Sequence, residues 1–203
     1  HQYFSLIRQS IIQQIKRFLD IIFSLTAITA LSPLLLLIAC RTRLSSGGAV
    51  IYTQQRIGRN GVPFTIYKFR SMYPNAEQNG PALSGPDDER ITPWGKTMRK
   101  WKLDELPQLW NIIIGDMSLV GPRPERKYYI DQLVQLTPRY PELLRVKPGL
   151  TSWGMVRFGY ASGVPEMAER MQYDLEYMDQ LSLGLDFRIM LQTLRIILSG
   201  KGK

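Results

Sequence analysis

The longest apolar stretch of the chain covers residues 18–39, where Asp20 is the only charged residue. As a straight helix it would be about 33 Å long, enough to cross the hydrocarbon core of a bilayer. Pro33 lacks a backbone donor and clashes with the preceding turn, so we expect the helix to break at Ser32-Pro33, where the serine hydroxyl can bond a freed carbonyl. Basic residues flank both ends, and positive flanks favour the cytoplasmic side: Lys16, Arg17, Arg41 and Arg43. A re-entrant helix is therefore preferred over a spanning one, and a buried core helix is the third alternative.

Residues 5–17 carry isoleucines at helical spacing, which predicts an amphipathic helix leading into the apolar stretch. The chain then divides into an amphipathic and re-entrant membrane helix at 1–44 and a cytoplasmic-face domain at 45–203. It begins at His1 without an initiator methionine, which predicts a processed or truncated piece of a longer protein.

The rest of the pattern predicts an α+β fold that is mostly helical. Segments 49–58 and 62–70 are rich in β-formers and flank Arg59-Asn60-Gly61, and an Asn-Gly pair is a strong β-hairpin signal. Residues 74–93 are polar and rich in proline and glycine, which predicts a loop over or near a site. Segment 145–154 is expected to turn into extended chain, and helices are expected at 94–101, 104–114, 124–136, 165–181 and 183–198.

The last of these helices has an apolar stripe with two interpretations. Residues from Leu183 to Leu198 place Phe187, Leu191 and Leu194 among other apolar side chains on one side, with arginines nearby. The stripe fits either a core-packed helix or an amphipathic helix lying at the surface of an anionic membrane.

Charge and composition narrow the chemistry. Lys plus Arg is 26 against 17 for Asp plus Glu, a net charge of +9, which indicates an anionic partner such as a lipid surface, nucleic acid or a phosphorylated substrate. We expect no nucleic-acid partner, because the chain lacks a recognition motif and has an apolar segment. Cys40 is the only cysteine, which excludes an internal disulfide. His1 is the only histidine and is terminal, which excludes histidine-based acid-base catalysis and histidine-ligated zinc.

The pair Asp104-Glu105 is the strongest candidate for catalysis. Pro107 is tolerated only in the first turn of a helix, so the two carboxylates are expected at a helix N-terminus. An isolated pair there would more simply serve as an N-cap and a complement to the helix dipole. Clustered cations in the flanking segments favour a phosphate site instead.

These cations are Lys68, Arg70, Arg90, Arg99, Arg123 and Lys147. Arg123 lies between two prolines, which restrict its backbone and suit a guanidinium for bidentate phosphate contact. Lys68 and Arg70 alternate with aromatic residues and would share one face of the hairpin. A structural salt bridge is the alternative for Arg123, and a solvated strand face is the alternative for Lys68 and Arg70.

The chain resembles the bacterial sugar transferases, the monotopic phosphoglycosyl transferases, and in particular the C-terminal catalytic domain of their longer members. The resemblance is carried by these segments, in the family's order: Lys16–Asp20, Ser32-Pro33, Gln55–Gly58, Tyr67–Met72, Arg90–Gly95, Arg99, Leu103–Asn111, Asp116–Pro124, Lys147–Trp153 and Tyr173–Leu175. One departure is Arg157-Phe158-Gly159-Tyr160, where many relatives carry an Asn-Gly pair, and its role stays open.

The resemblance implies a re-entrant helix broken at Ser32-Pro33 and a catalytic domain on the cytoplasmic face of the bacterial inner membrane. It further implies transfer of a hexose 1-phosphate from a UDP-sugar to polyprenyl (undecaprenyl) phosphate with release of UMP, as the first membrane step of exopolysaccharide, capsule or O-antigen synthesis. Asp104 would attack phosphorus and form an aspartyl phosphosugar, and Glu105 would hold Mg²⁺. The sequence does not specify the sugar, and it allows a homo-oligomer without requiring one.

A noncatalytic basic membrane adaptor is the competing interpretation. It accounts for the charge and the apolar stretch, but not for the ordered carboxylate and Arg-Pro motifs. A glycosidase-like use of the carboxylates is disfavoured, because adjacent residues rarely face a sugar from two sides.

Overall fold

The computed structural model describes residues 2–78, 80, 82–85, 88–200 and 202. Side chains of residues 2–10 and of Ser46 are outside the description, so the predicted apolar face at Ile7 is not among the described side chains. The elements are α1 (Gln2–Ser46), β1 (Ile51–Ile57), β2 (Pro63–Phe69), α2 (Pro93–Lys100), α3 (Gln108–Ile114), β3 (Ser118–Val120), α4 (Lys127–Leu136), α5 (Tyr140–Leu143), β4 (Gly149–Thr151), α6 (Trp153–Arg157), α7 (Val164–Asp179) and α8 (Leu183–Leu198). Short 3-10 turns cover Arg59–Gly61 and Leu103–Glu105. The predicted mostly helical fold with a small β component is confirmed.

The N-terminal helix is long and apolar, and it stays helical through Pro33, so the expected break at Ser32-Pro33 is not observed. Near the proline, the Ser32 hydroxyl donates to the carbonyl of Thr29 at 2.9 Å, which places a local hydrogen bond beside the interrupted ladder. Among the described residues, this is the one helix long and apolar enough to cross a membrane.

Helix α1 buries mostly polar side chains and exposes most of its large apolar ones. A single stripe is buried along it, formed by Lys16, Asp20, Ser24, Ile38 and Thr42. The apolar side chains on the outer face are exposed, and they include Phe18, Phe23, Leu25, Leu34, Leu36 and Leu37. A soluble helix has the opposite arrangement, because burial normally takes the apolar face out of water.

The buried stripe of α1 is anchored on both sides of Pro33. On the N-terminal side, the backbone N–H of Leu119 in β3 donates to Asp20 Oδ1 at 3.0 Å, and Lys16 forms a buried ion pair with Asp186 of α8. On the C-terminal side, the indole N–H of Trp94 donates to Thr42 Oγ1 at 3.1 Å. Both halves of the helix are thus attached to one body.

The predicted hairpin is confirmed. Strands β1 and β2 pair antiparallel from Ile51 opposite Phe69 to Ile57 opposite Pro63. Asn60 adopts a left-handed conformation with φ of 59°, which the short asparagine side chain tolerates.

A second, parallel pair joins β3 and β4, with Ser118 opposite Gly149 and Val120 opposite Thr151. The sequence pattern predicted extended chain near Gly149 but not this partner. The pair brings Gly121 so close to β4 that a Cβ atom there would lie 2.4 Å from the carbonyl oxygen of Lys147. Glycine is therefore required where the chain leaves β3 toward Arg123.

The other predicted helices are confirmed within a few residues of their bounds, with one correction that affects the site. Helix α3 begins at Gln108, so the expected helix start at 104 is wrong. Asp104 and Glu105 lie in the preceding 3-10 turn, because Pro107 occupies the N-cap of α3 and the chain must turn sharply before it. The carboxylates are therefore not helix caps, which removes their simplest structural interpretation.

Helix α8 exposes its apolar stripe. Phe187, Leu191, Leu194 and Leu198 are between 42% and 77% exposed, whereas Ile189 on the opposite side is fully buried. These four side chains of the predicted stripe are therefore on the surface, whereas Met190 of the same stripe packs with Ile189 against Val120 and Tyr177 in the core.

Candidate active site

The carboxylate pair lies in a buried turn entered through a strained residue. Lys102 has a left-handed backbone with φ of 53°, and the 3-10 turn Leu103–Glu105 follows it directly. Such a conformation in a residue with a Cβ costs about 1–3 kcal/mol and is concentrated at functional sites. Asp104 and Glu105 are 7% and 6% exposed, so both acidic groups are largely withdrawn from water.

Two lysines hold Glu105. Lys68 Nζ of β2 lies 2.7 Å from Glu105 Oε1, and Lys102 Nζ lies 3.6 Å from Oε2. Burial raises the pKa of Glu105, but the positive charges of Lys68, Lys102 and Arg123 outweigh it and hold that pKa well below its ordinary value. Glu105 is therefore ionised throughout the neutral range.

Asp104 is in the opposite electrostatic situation. Burial raises its pKa, the negative charge of Glu105 raises it further, and Lys68 and Arg99 only partly offset these effects. Within the described residues no ammonium or guanidinium nitrogen comes within 4 Å of its carboxylate. Two adjacent carboxylates with pKa values shifted in opposite directions are typical of sites in which the two groups have different tasks.

The turn opens into a cavity of about 580 Å³ that contains both carboxylates and several cations. Lys68, Arg70, Arg99 and Arg123 line it, so four of the six predicted cations meet in one place. Arg99 is held there by its Nε, which donates to Ser71 Oγ at 2.9 Å. The loop after β2 closes one side with residues 71–78 and 82–84.

The backbone of Arg123 is held in place by Asp174 of α7. Its N–H donates to Asp174 Oδ2 at 3.3 Å, and Asp174 Oδ1 accepts a second bond, 2.7 Å long, from the N–H of Gly154. The side chain of Arg123 is 4.0 Å from Glu125, and it lies over the ring of Tyr160 with 5.8 Å between the guanidinium carbon and the ring centroid. These contacts hold a guanidinium at the cavity wall.

Glu125 is a buried hub that sequence reasoning missed. It binds Arg170 at 2.5 Å and Arg56 at 3.4 Å in addition to Arg123. Asp174 and Arg56 occur in segments that carry the family resemblance, which could have indicated them, whereas no sequence signal pointed to Glu125 or Arg170.

A polar cluster farther along the cavity was also missed. Glu77 Oε1 accepts from Arg126 Nη1 at 2.8 Å, and Glu77 Oε2 accepts from the hydroxyl of Tyr52 at 3.3 Å. Gln54 donates to the same hydroxyl at 2.8 Å. Their side chains come from the hairpin, the loop and the start of α4, so only the fold brings them together.

The two remaining predicted cations lie elsewhere. Arg90 binds Asp88 through two nitrogens, at 2.8 and 2.6 Å, and also donates to the carbonyl of Leu83, so it fastens the loop rather than lining the cavity. Lys147 lies beside Gly115 and Arg17, near the base of α1. Burial and Arg17 lower its pKa.

The Asp104-Glu105 pair itself provides carboxylate oxygens, which suit a hard cation. The described residues contain no cluster of three or more His, Cys, Asp or Glu side chains placed to hold a metal. Mg²⁺, however, commonly binds through one or two carboxylates and completes its shell with water and substrate phosphates. The Asp104-Glu105 pair facing the cavity fits that limited role.

A long helix with a largely apolar outer face, fixed to a body that holds a carboxylate pair among cations, suggests membrane association and a site suited to anionic groups. The chain belongs to the bacterial sugar transferase family, whose family model matches residues 11–200.

Three relatives illustrate the similarity. Over 198 residues the chain is 41% identical to a UDP-N-acetylgalactosamine-undecaprenyl-phosphate N-acetylgalactosaminephosphotransferase of Aeromonas hydrophila, covering 98% of the chain and 47% of that protein. It is 39% identical over 187 residues to a UDP-glucose:undecaprenyl-phosphate glucose-1-phosphate transferase of Xanthomonas campestris pv. campestris, covering 90% and 38%. It is 35% identical over 188 residues to the uncharacterized sugar transferase EpsL of Bacillus subtilis, covering 93% and 89%. The chain thus spans less than half the length of the first two and most of the third.

Proposed function

We propose that this chain transfers a hexose 1-phosphate from a UDP-sugar to polyprenyl phosphate and releases UMP. The observation that carries the proposal is the Asp104-Glu105 pair, whose pKa values are shifted apart inside a cavity lined by cations. The similar Aeromonas and Xanthomonas proteins are named for sugar-phosphate transfer to undecaprenyl phosphate, which supports the same reaction.

Asp104 is the nucleophile in this proposal. Its carboxylate oxygen forms a bond to the sugar-bearing phosphorus while the bond from that phosphorus to the UMP oxygen breaks, which leaves an aspartyl phosphosugar. A raised pKa makes the ionised carboxylate a better nucleophile than an ordinary aspartate. Its lack of a close cation partner leaves the oxygens available for attack.

The cations neutralise charge as the nucleophile approaches. A carboxylate and a diphosphate repel one another, so attack requires positive groups that are already in position. Lys68, Arg99 and Arg123 line the cavity and are held by Glu105, Ser71 and Asp174, which reduces the reorganisation needed during the reaction. Glu105 stays ionised and orients Lys68 and Lys102.

Mg²⁺ is part of the proposal through Glu105, which would hold it together with substrate phosphates. When bound, the ion supplies additional neutralisation of phosphate charge. Because Lys68 and Lys102 already contact Glu105, a metal ligated there shares the carboxylate with these lysines.

In the second half of the reaction, a phosphate oxygen of the polyprenyl acceptor attacks the same phosphorus. The bond to Asp104 breaks, the carboxylate is regenerated, and the sugar leaves on a lipid-linked diphosphate. This requires the site to lie near the depth of lipid phosphates, since positioning of reactants supplies several kcal/mol of the barrier reduction.

The arrangement of α1 supports a re-entrant placement on the cytoplasmic face of the bacterial inner membrane. Asp20 and Thr42, on opposite sides of Pro33, both contact the catalytic body, while the outer face is apolar. A helix attached at both ends to one body suits entry into one leaflet and return, with the exposed face of α8 resting on the same surface.

UMP release from a panel of UDP-sugars, with polyprenyl phosphate present and absent, tests this function in nanodiscs. We expect release with at least one sugar, loss of release in Asp104→Asn, and unchanged release in the exposed control Asp131→Asn. No release with any sugar would favour a noncatalytic membrane adaptor, and full turnover in Asp104→Asn would remove Asp104 as nucleophile.

A further inference from the structure

A second, smaller cavity of about 180 Å³ lies between α8 and the segment that follows α6. Its lining combines four apolar side chains with two cations, two threonines and a tyrosine: Met155, Val156, Phe158, Ile196, Lys102, Arg157, Thr151, Thr193 and Tyr160. Its two threonine hydroxyl groups are partnered with each other, because Thr151 Oγ1 and Thr193 Oγ1 lie 2.7 Å apart. We call this cavity the α8 groove.

The α8 groove adjoins the carboxylate pair. Tyr160 lines both the groove and the larger cavity, so its ring is a shared wall. Lys102 also lines the groove, and its Nζ lies 3.6 Å from Glu105 and 5.1 Å from the centroid of the Tyr160 ring. A ligand in the groove that contacts Lys102 would therefore be separated from the Asp104-Glu105 pair by a single side chain.

The segment with the unusual Arg157–Tyr160 sequence builds this wall. Helix α6 ends at Arg157, and Gly159 has φ of 96°, a left-handed conformation that ends the helix and turns the chain back. The turn places Phe158 in the groove and Tyr160 against Lys102. The sequence feature whose role stayed open thus shapes the boundary between the two cavities.

The groove also reaches Gly202, on the same side as Lys102 and next to a surface typical of a membrane interface. Gly202 lines the groove, and its N–H donates to the carbonyl of Lys100 at 3.0 Å. Trp101, between Lys100 and Lys102 in the chain, is 38% exposed, and Lys100 lies over its ring. An exposed tryptophan beside lysine is typical of residues at the headgroup level of a bilayer.

We propose that the α8 groove binds the phosphate-proximal isoprenoid segment of the acceptor lipid, with the lipid phosphate at Lys102 and Tyr160. The four apolar side chains match the hydrocarbon, the lysine matches the phosphate charge, and the exposed Trp101 next to Lys102 in the chain marks the side from which lipid would enter. This inference rests on the proposed transfer function and adds an acceptor site that is separate from the donor cavity.

Discharge of preformed adduct tests the site directly. Protein in nanodiscs is first loaded with UDP-sugar, UMP is removed, and undecaprenyl phosphate is then added at concentrations below saturation. Ile196→Trp fills the groove, so we expect the adduct to discharge at least tenfold more slowly. The slower discharge should come from a higher KM for the lipid. The control Leu136→Trp, at an exposed position of α4, should discharge at the unsubstituted rate.

Methyl phosphate lacks the isoprenoid chain of the lipid. It therefore distinguishes a loss of isoprenoid binding from a general loss of activity in the variant. Ile196→Trp should slow discharge by the lipid but not discharge by methyl phosphate. If Ile196→Trp fails to fold, Ile196→Ala serves instead, with an expected threefold or larger rise in the KM for the lipid. An unchanged KM in a folded variant, or equal slowing with methyl phosphate, overturns the site. Absence of any adduct in the unsubstituted protein overturns the transfer function and this site with it.

Discussion

At the residue scale, the two adjacent carboxylates are distinguished by their neighbours. Lys68 and Lys102 both contact Glu105, while Asp104 faces the cavity without a cation within 4 Å among the described residues. Sequence alone predicted that the pair and several cations belong together. It could not predict which of the two carboxylates the lysines contact, because that depends on how strand β2 packs against the 3-10 turn.

The first prediction concerns pH. Because the pKa of Asp104 is raised above 3.8, activity should fall with decreasing pH at a value higher than for an ordinary aspartate. The sign follows from the ionised form being the nucleophile, so protonation removes activity. Lys68→Met removes a charge that lowers this pKa, and the acid limb of the rate of adduct formation should therefore move to higher pH. Circular dichroism at each pH separates this from unfolding. A limb that moves to lower pH contradicts the electrostatic account.

The second prediction concerns Glu105. Glu105→Gln removes the charge that would hold Mg²⁺ and leaves Lys68 without its ionic partner. We expect the Mg²⁺ concentration for half-maximal UMP release to rise about tenfold or more, in line with the loss of one charged ligand. Glu142→Gln, whose carboxylate pairs with Arg139 away from the cavity, is the matched control. An unaltered Mg²⁺ titration in Glu105→Gln would argue against ligation by this residue.

At the element scale, local signals predicted well and distant pairings did not. The hairpin was predictable because Asn60-Gly61 fixes the turn and the flanking strands follow directly. The β3–β4 pair was not, because each strand has three residues and a long segment separates them. The support of Arg123 by Asp174 and Glu125 depends on the same long-range packing.

Close packing of β3 against β4 gives the third prediction. In Gly121→Ala the new methyl would lie 2.4 Å from the Lys147 carbonyl oxygen and 2.9 Å from the Gly149 nitrogen, both of which are backbone atoms. We expect the free energy of unfolding to fall by about 1–3 kcal/mol, together with slower adduct formation because Arg123 is displaced. Denaturant unfolding in detergent measures the first effect.

The matched control is Gly184→Ala in α8, where an added Cβ meets nothing within 4 Å. It should leave activity unchanged and change the free energy of unfolding by less than about 0.5 kcal/mol, because residue 184 lies in the first turn of α8, where alanine gains less over glycine than in a helix interior. Equal stability of Gly121→Ala and the unsubstituted protein would show that the strands are not packed this closely.

At the scale of the whole molecule, α1 and the catalytic body act as one unit. The apolar stretch was predictable from composition, and its outward face follows from the polar residues that are buried at Lys16, Asp20 and Thr42. Those polar residues were visible in the sequence, but their partners in α2, β3 and α8 were not. The domain boundary at 44 therefore marks a change in composition rather than a gap in contacts.

The fourth prediction concerns membrane topology. In a Cys40→Ser background, single cysteines from Gln13→Cys and Ser199→Cys should both be labelled from the cytoplasmic side only, because α1 enters and leaves by the same face. Pro33→Ala should favour a straight helix and move a fraction of residue 13 to the periplasmic side. Pro165→Ala, at the first turn of α7, is the control and should not change labelling. Periplasmic labelling of residue 13 in the unsubstituted background contradicts the re-entrant placement.

The most direct test of the whole account is the mass of the protein after exposure to a UDP-sugar without acceptor. The account predicts an added sugar phosphate on the peptide that contains Asp104, its absence in Asp104→Asn, and its disappearance when polyprenyl phosphate is supplied. UMP release with no added mass, or a sugar phosphate carried by a different residue, would contradict it.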